Sequence, residues 1–126
     1  MLTRSPMKRT RPRRWPAAFK AALEERSGGF CEAQLTGCQG WAVDICHRVA
    51  GKVGGRPNGD DVRLSNVWHG CRTCHAWATG APTQAYDFGL ALKEPAAEWH
   101  LEIEPILYRG VWKYLYDDGQ VVEAYS

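Results

Sequence analysis

Cysteine spacing constrains this chain more than any other feature. Four of its five cysteines fall into two pairs, "CEAQLTGC" (Cys31 and Cys38) and "CRTC" (Cys71 and Cys74). A two-residue gap, as in the second pair, is common in zinc knuckles, and the wider six-residue gap of the first pair still lets both thiolates reach one ion. Four thiolates so placed can surround zinc tetrahedrally, against the alternatives of two disulfides or unpaired core thiols. A zinc staple would tie residues 31–38 to residues 71–74 and close the segment between them into a loop.

The composition explains why such a staple is needed. The chain has 126 residues, enough for one domain, and 44% of them are apolar, but Gly (13) and Trp (6) are abundant while aliphatic residues are thin. A large aliphatic core is therefore excluded. No apolar run approaches the roughly 18 residues of a membrane span, and the start, "MLTRSPMKRTRPRRWP", lacks the apolar stretch of a secretory signal. A soluble, cytoplasmic protein without membrane association is expected, and a reducing compartment favours a metal over disulfides.

The net charge of +2 conceals a polarity along the chain. Residues 1–20 hold seven Lys or Arg and no acid, whereas residues 81–126 hold three basic and eight acidic residues. A Pro-punctuated basic arm buries too little apolar surface to fold alone. Arg9, Arg11, Arg13 and Arg14 suit the polyanionic backbone of DNA, where counterion release drives binding; a solubilising tail is the alternative.

Local signals divide the chain into three parts: a basic flexible arm (1–15), a zinc-stapled domain (16–82), and a C-terminal extension (83–126) with a short helix and a β-hairpin. "PAAFKAALEERSGG" (16–29) predicts a helix, with Pro at its start and a Gly pair at its stop. "WAVDICHRV" (41–49) predicts a strand and 50–63 a Gly/Pro/Asn loop. "LSNVWHGCRTCHAWATG" (64–80) predicts a turn or cap at Ser65 or Asn66 and a helix from about Cys71. "PTQAYDFGLAL" predicts a short helix, "KEPAAEW" an irregular stretch, and Asp118-Gly119 a hairpin turn between β-rich runs.

Within the loop closed by the cysteines lie "DICHRVAGKVGG" and "LSNVWHGCRTCH", with His47, Asn66 and His75 in that order. These segments resemble the HNH endonuclease family, and more narrowly its small zinc-stapled members from phages and actinobacteria; "WATGAPTQAYDFGLAL" and "YLYDDG" are similar to the tail of that group. The resemblance implies an α+β chain with a small ββα-metal fold: two antiparallel strands and a helix around one divalent catalytic cation, with a separate structural zinc held by the four paired cysteines. It places His47 as general base, Asn66 in the middle position as metal ligand or base orienter, and His75 as a ligand of the catalytic cation.

The residue before the base usually supplies a ligand in this family, and here it is Cys46. Three readings compete. Cys46 itself ligates and softens the site toward Zn²⁺, Co²⁺ or Ni²⁺; or Asp44, on the same strand face, supplies an oxygen for Mg²⁺ or Mn²⁺; or the site is degraded and the fold serves binding or assembly. Other residues keep their bland alternatives. His75 can instead be a zinc ligand, Asn66 a helix cap, Arg48 either a phosphate contact or a solvated strand-end charge, and His69 structural or DNA-facing. The expected function is metal-dependent hydrolysis of DNA phosphodiesters, with terminase subunits of a phage in its bacterial host as the implied partner. A catalytically inactive, zinc-stapled DNA-binding or assembly protein is the alternative.

Overall fold

A computed structural model of the chain describes residues 15–49, 62–93 and 101–125. Arg9, Arg11, Arg13 and Arg14, the Gly-Gly loop and most of "KEPAAEW" lie outside the described residues.

The first helix, α1 (Ala17–Ser27), follows Pro16, whose ring presets the backbone for helix entry. It contains no β-branched residue and ends at Gly28, which at φ +68° adopts the left-handed conformation that glycine tolerates best and donates its N–H to Glu24 O at 2.8 Å. The buried face of α1 carries Leu23, which packs with Leu64 and Val67, and with half-buried Phe19 and Ile45.

Strand β1 (Asp44–His47) is shorter than the expected 41–49, its upstream part contributing only a bridge between Phe30 and Trp41. It pairs antiparallel with β2 (Val67–Gly70), Asp44 opposite Gly70 and His47 opposite Val67. The local pattern predicts a turn or cap at Ser65 or Asn66 and a helix from about Cys71, and assigns nothing to Val67–Gly70 between them. The segment is a strand because all four residues are buried between α1 on one side and the cysteine cluster on the other, an environment that rewards Val and Trp. Helix α2 (Arg72–Gly80) begins at Cys71, whose Sγ accepts the N–H of Cys74, and α3 (Pro82–Asp87) opens on its proline.

The extension forms a three-stranded antiparallel sheet, β3 (Ile106–Tyr108), β4 (Val111–Leu115) and β5 (Val121–Glu123), in that order. The expected hairpin is β4–β5, turning at Gly119 with φ +94°. Strand β3, only three residues long, has no counterpart among the sequence expectations.

The whole is a small α+β structure with three α-helices and two small sheets among the described residues. The extension shares its core with the cysteine-rich segment: Ala85, Leu90, Ile106 and Leu115 pack in one cluster with Cys31, Cys46, Trp68 and Cys74. Backbone bonds seal the join, from Leu92 N to Arg48 O at 2.7 Å and from Arg109 N to Glu32 O at 2.9 Å. Gly89 sits where this join is tightest, at φ +72°, and a Cβ there would collide with Pro105 O. Glu32 is buried in a second polar junction: its carboxylate accepts two 2.8 Å bonds from Arg26, one from Tyr108 Oη at 2.7 Å and one from His69 N at 2.7 Å.

Candidate metal centre and cleft

The four paired cysteines converge. Sγ atoms of Cys31, Cys38, Cys71 and Cys74 all lie within 4.8 Å of one another, none is in a disulfide, and Cys38 and Cys71 are 3.8 Å apart. Zinc–sulfur bonds of about 2.3 Å define a tetrahedron with edges of about 3.8 Å, so this donor set fits zinc. Backbone N–H groups point at the sulfurs, from Gln34 to Cys31 (3.5 Å), Gln39 to Cys71 (3.4 Å) and Gly40 to Cys38 (3.3 Å). Such bonds favour thiolate over thiol. Burial raises the Cys71 thiol, but the N–H groups of Gln39 and Cys74 outweigh it and bring Cys71 down to about 7. Burial, followed by the neighbouring sulfurs, pushes Cys38 and Cys74 up. Four thiolates repel one another without a cation between them; a divalent metal removes that repulsion, and these cysteines can hold a metal ion such as zinc.

Beside this centre, a cleft of about 470 Å³ opens between the end of β1, α2 and α3, with Cys46, His47, Trp68 and His75 among its walls. His47 ends β1, half-buried, with the Trp15 ring 5.2 Å away and tilted by 35°. Asn66, fully buried, grips the chain where it leaves β1: its Oδ1 accepts Val49 N at 2.8 Å and its Nδ2 donates to Val49 O at 3.3 Å. Of the two roles open to Asn66, these contacts match holding the segment beyond His47.

His75, on α2, turns its Nδ1 to Asp44 Oδ2 at 3.1 Å, and so is no part of the cysteine tetrad. Asp44 also meets Arg72 at 3.2 Å, and although burial opposes ionisation, His75 and Arg72 hold the carboxyl below its usual range. Cys46, two residues along the strand, is only 2% exposed and belongs to the core cluster. Burial first, and the charge of Asp44 second, push its thiol well up. The side chain bonded to His75 is Asp44, while Cys46, the expected ligand, lines the same cleft as His75 from within the core. Among the described residues, the four paired cysteines are the group of three or more side chains that can hold a metal.

Arg48 requires a correction. Neither a phosphate contact nor a solvated charge, it is 1% exposed, and its guanidinium donates to five carbonyls: Gly89 (2.8 Å), Ser65 (2.9 Å), Leu101 (3.4 Å), Glu104 (2.6 Å) and Pro105 (3.2 Å). Its planar fork suits several carbonyls at once, and four of the five come from the extension, invisible to any local pattern. His69 is structural: its Nδ1 bonds Ser27 Oγ at 2.8 Å, and burial lowers its basicity, keeping it neutral near pH 7.

Sequence reasoning missed the far wall of the cleft, formed by Thr79, Tyr86 and Lys93. No ligand or base pattern marks them; the packing of α3 against α2 and the backbone bond from Leu92 N to Arg48 O bring Tyr86 and Lys93 opposite Thr79. No protein-family model, no curated protein and no solved structure matches the chain.

Proposed function

We propose that this chain is a zinc-stapled, metal-dependent endonuclease of the HNH type that hydrolyses DNA phosphodiesters. One observation carries the reading: β1, β2 and α2 follow one another as a hairpin and helix that bring His47 and His75 into a single cleft, while Asn66 clamps the turn behind the base. His47 is the group that takes a proton from the attacking water, since imidazole is the side chain suited to that transfer near neutral pH. The Trp15 ring packs against the imidazole from one side. His75, in the wall of the cleft, and Asp44, which meets it from the neighbouring groove along α1, offer a nitrogen and an oxygen 3.1 Å apart, a donor pair that suits a divalent cation of hard or borderline character. When bound there, the cation would polarise the phosphate and stabilise the departing 3′ oxygen. The implied partner in the cell is a phage terminase.

Supercoiled-plasmid nicking, scanned over Mg²⁺, Mn²⁺, Co²⁺, Ni²⁺ and Zn²⁺, tests this. Wild type and Cys46→Ser should nick, whereas His47→Ala and Asp44→Asn should lose nicking. Loss in Cys46→Ser with a soft-metal optimum would return the ligand role to the cysteine. A second reading, a DNA-binding or assembly protein without catalysis, is favoured by the buried, protonated Cys46 and by the two-donor Asp44–His75 site. Wild-type protein that binds but nicks with no metal would establish it.

A further inference from the structure

The cleft that holds His47 and His75 has no Asp or Glu among its described lining residues, although the extension that builds one side of it is acidic overall. Two side chains there carry a permanent positive charge, Arg48 and Lys93. Arg48 is committed to backbone carbonyls. Lys93 is exposed, and its Nζ lies 5.0 Å from the centre of the Tyr86 ring, itself 39% exposed. A ring beneath an ammonium steadies the long side chain without consuming its N–H donors, which stay available to an anion. Thr79, on the last turn of α2, adds a hydroxyl to the same wall. The groove along α1 differs: it contains Glu24 and Asp44 beside Lys20, so its charges oppose one another.

We infer that Lys93, held by Tyr86, is the phosphate contact of this cleft, and that the strand whose phosphodiester faces His47 lies between α2 and α3. The inference rests on the nuclease reading for its substrate. It assigns to the C-terminal extension the phosphate-binding role that the sequence suggested for Arg48. Lys93 is a binding residue and Tyr86 a positioning residue.

The test is binding of a fluorescein-labelled DNA duplex by the full chain, zinc-loaded and without added divalent cation, followed by anisotropy from about 50 to 200 mM NaCl. One lost phosphate contact reduces the salt slope by about 0.9, equivalent to about a threefold smaller change in affinity across that range. Lys93→Gln should show this reduction, Lys93→Arg should keep the wild-type slope, and Lys113→Gln, in β4 and outside the cleft, should leave it unchanged. Tyr86→Leu should weaken binding and Tyr86→Phe restore it, because the ring and not the hydroxyl steadies the lysine. An unchanged slope in Lys93→Gln overturns the assignment, as does wild-type protein that binds no DNA. Lys93-dependent binding of inorganic phosphate with an unchanged DNA slope would also overturn it, giving the cleft to a small phosphate compound. Plasmid nicking separates the two readings: a reduced slope without nicking by any metal leaves Lys93 in place and removes the nuclease, whereas nicking with an unchanged slope does the reverse.

Discussion

Replacing Arg48 by Met keeps an unbranched apolar stem but strips five carbonyls of this donor, three of them in fully buried bonds. Three of those bonds are short, 2.6 to 2.9 Å, to Glu104, Gly89 and Ser65. Hydrogen bonds from a charged donor are worth about 1.5–3 kcal/mol each, so the three amount to about 6 kcal/mol. Against this stands the cost of burying a guanidinium without a bonded carboxylate, several kcal/mol, which the Met variant no longer bears. Burial brings the Arg48 pKa down to about 9, so the charge, and with it the cost, is present at pH 7. The expected net loss is about 3 kcal/mol, a large share of the roughly 5–15 kcal/mol that holds a domain together. With an m-value of about 1.5–2 kcal/mol/M, the urea midpoint should fall by about 1.5–2 M. The assay is urea denaturation under saturating zinc, followed by tryptophan fluorescence, since buried Trp68 bonds Leu90 O in the same join. Arg48→Lys, which keeps the charge but loses the planar fork, should fall between. A midpoint within about 0.3 M of wild type for Arg48→Met would refute the hub. A reduced DNA salt slope in folded Arg48→Lys would instead restore the phosphate contact.

Metal analysis should find close to one zinc per chain, lost together with the fold in Cys71→Ser and Cys74→Ser; a metal-free, fully folded wild type would remove the staple. Glu32→Gln should cost about 3–5 kcal/mol in the same urea assay because it leaves the Arg26 charge buried without its partner, and a loss under about 1 kcal/mol would contradict that. Asp117 accepts the N–H and hydroxyl of Ser65 and pairs with Arg63, and these bonds outweigh burial to hold its carboxyl below the usual value. Because the folded value is the lower one, its contribution is complete above about pH 4 and fades as the pH falls through the folded value. Asp117→Asn should therefore be less stable than wild type at pH 7, by under about 1 kcal/mol given that more than a third of the side chain is exposed, and equal to it in strong acid. A difference that grows on acidification would reverse the sign.

Local chemistry made several features legible in the sequence alone. Helix α1 announces itself by Pro16 and Gly28, the β4–β5 hairpin by Asp118-Gly119, and the cluster that can hold a metal by four cysteines whose spacing needs only a closed loop to converge. Period-2 strand geometry also names Asp44 as the alternative to Cys46, and it is Asp44 that meets His75. Each of these rests on residues close in the chain, or on a ligand type that accepts few partners.

Other features depend on contacts between distant segments. Arg48 reads as a strand-end charge until residues 89, 101, 104 and 105 close over it, and Val67–Gly70 carries no local signal of its own until α1 and the cysteine cluster bury both its faces. Lys93 and Tyr86 lie 46 and 39 residues beyond His47, and only the packing of α3 brings them to its cleft. Short stretches of chain already carry the two cysteine pairs that can hold a metal and the order of His47, Asn66 and His75, because ligand spacings and turns are local. Which charges face solvent and which are buried emerges with the folded chain, because burial depends on what distant segments place around them.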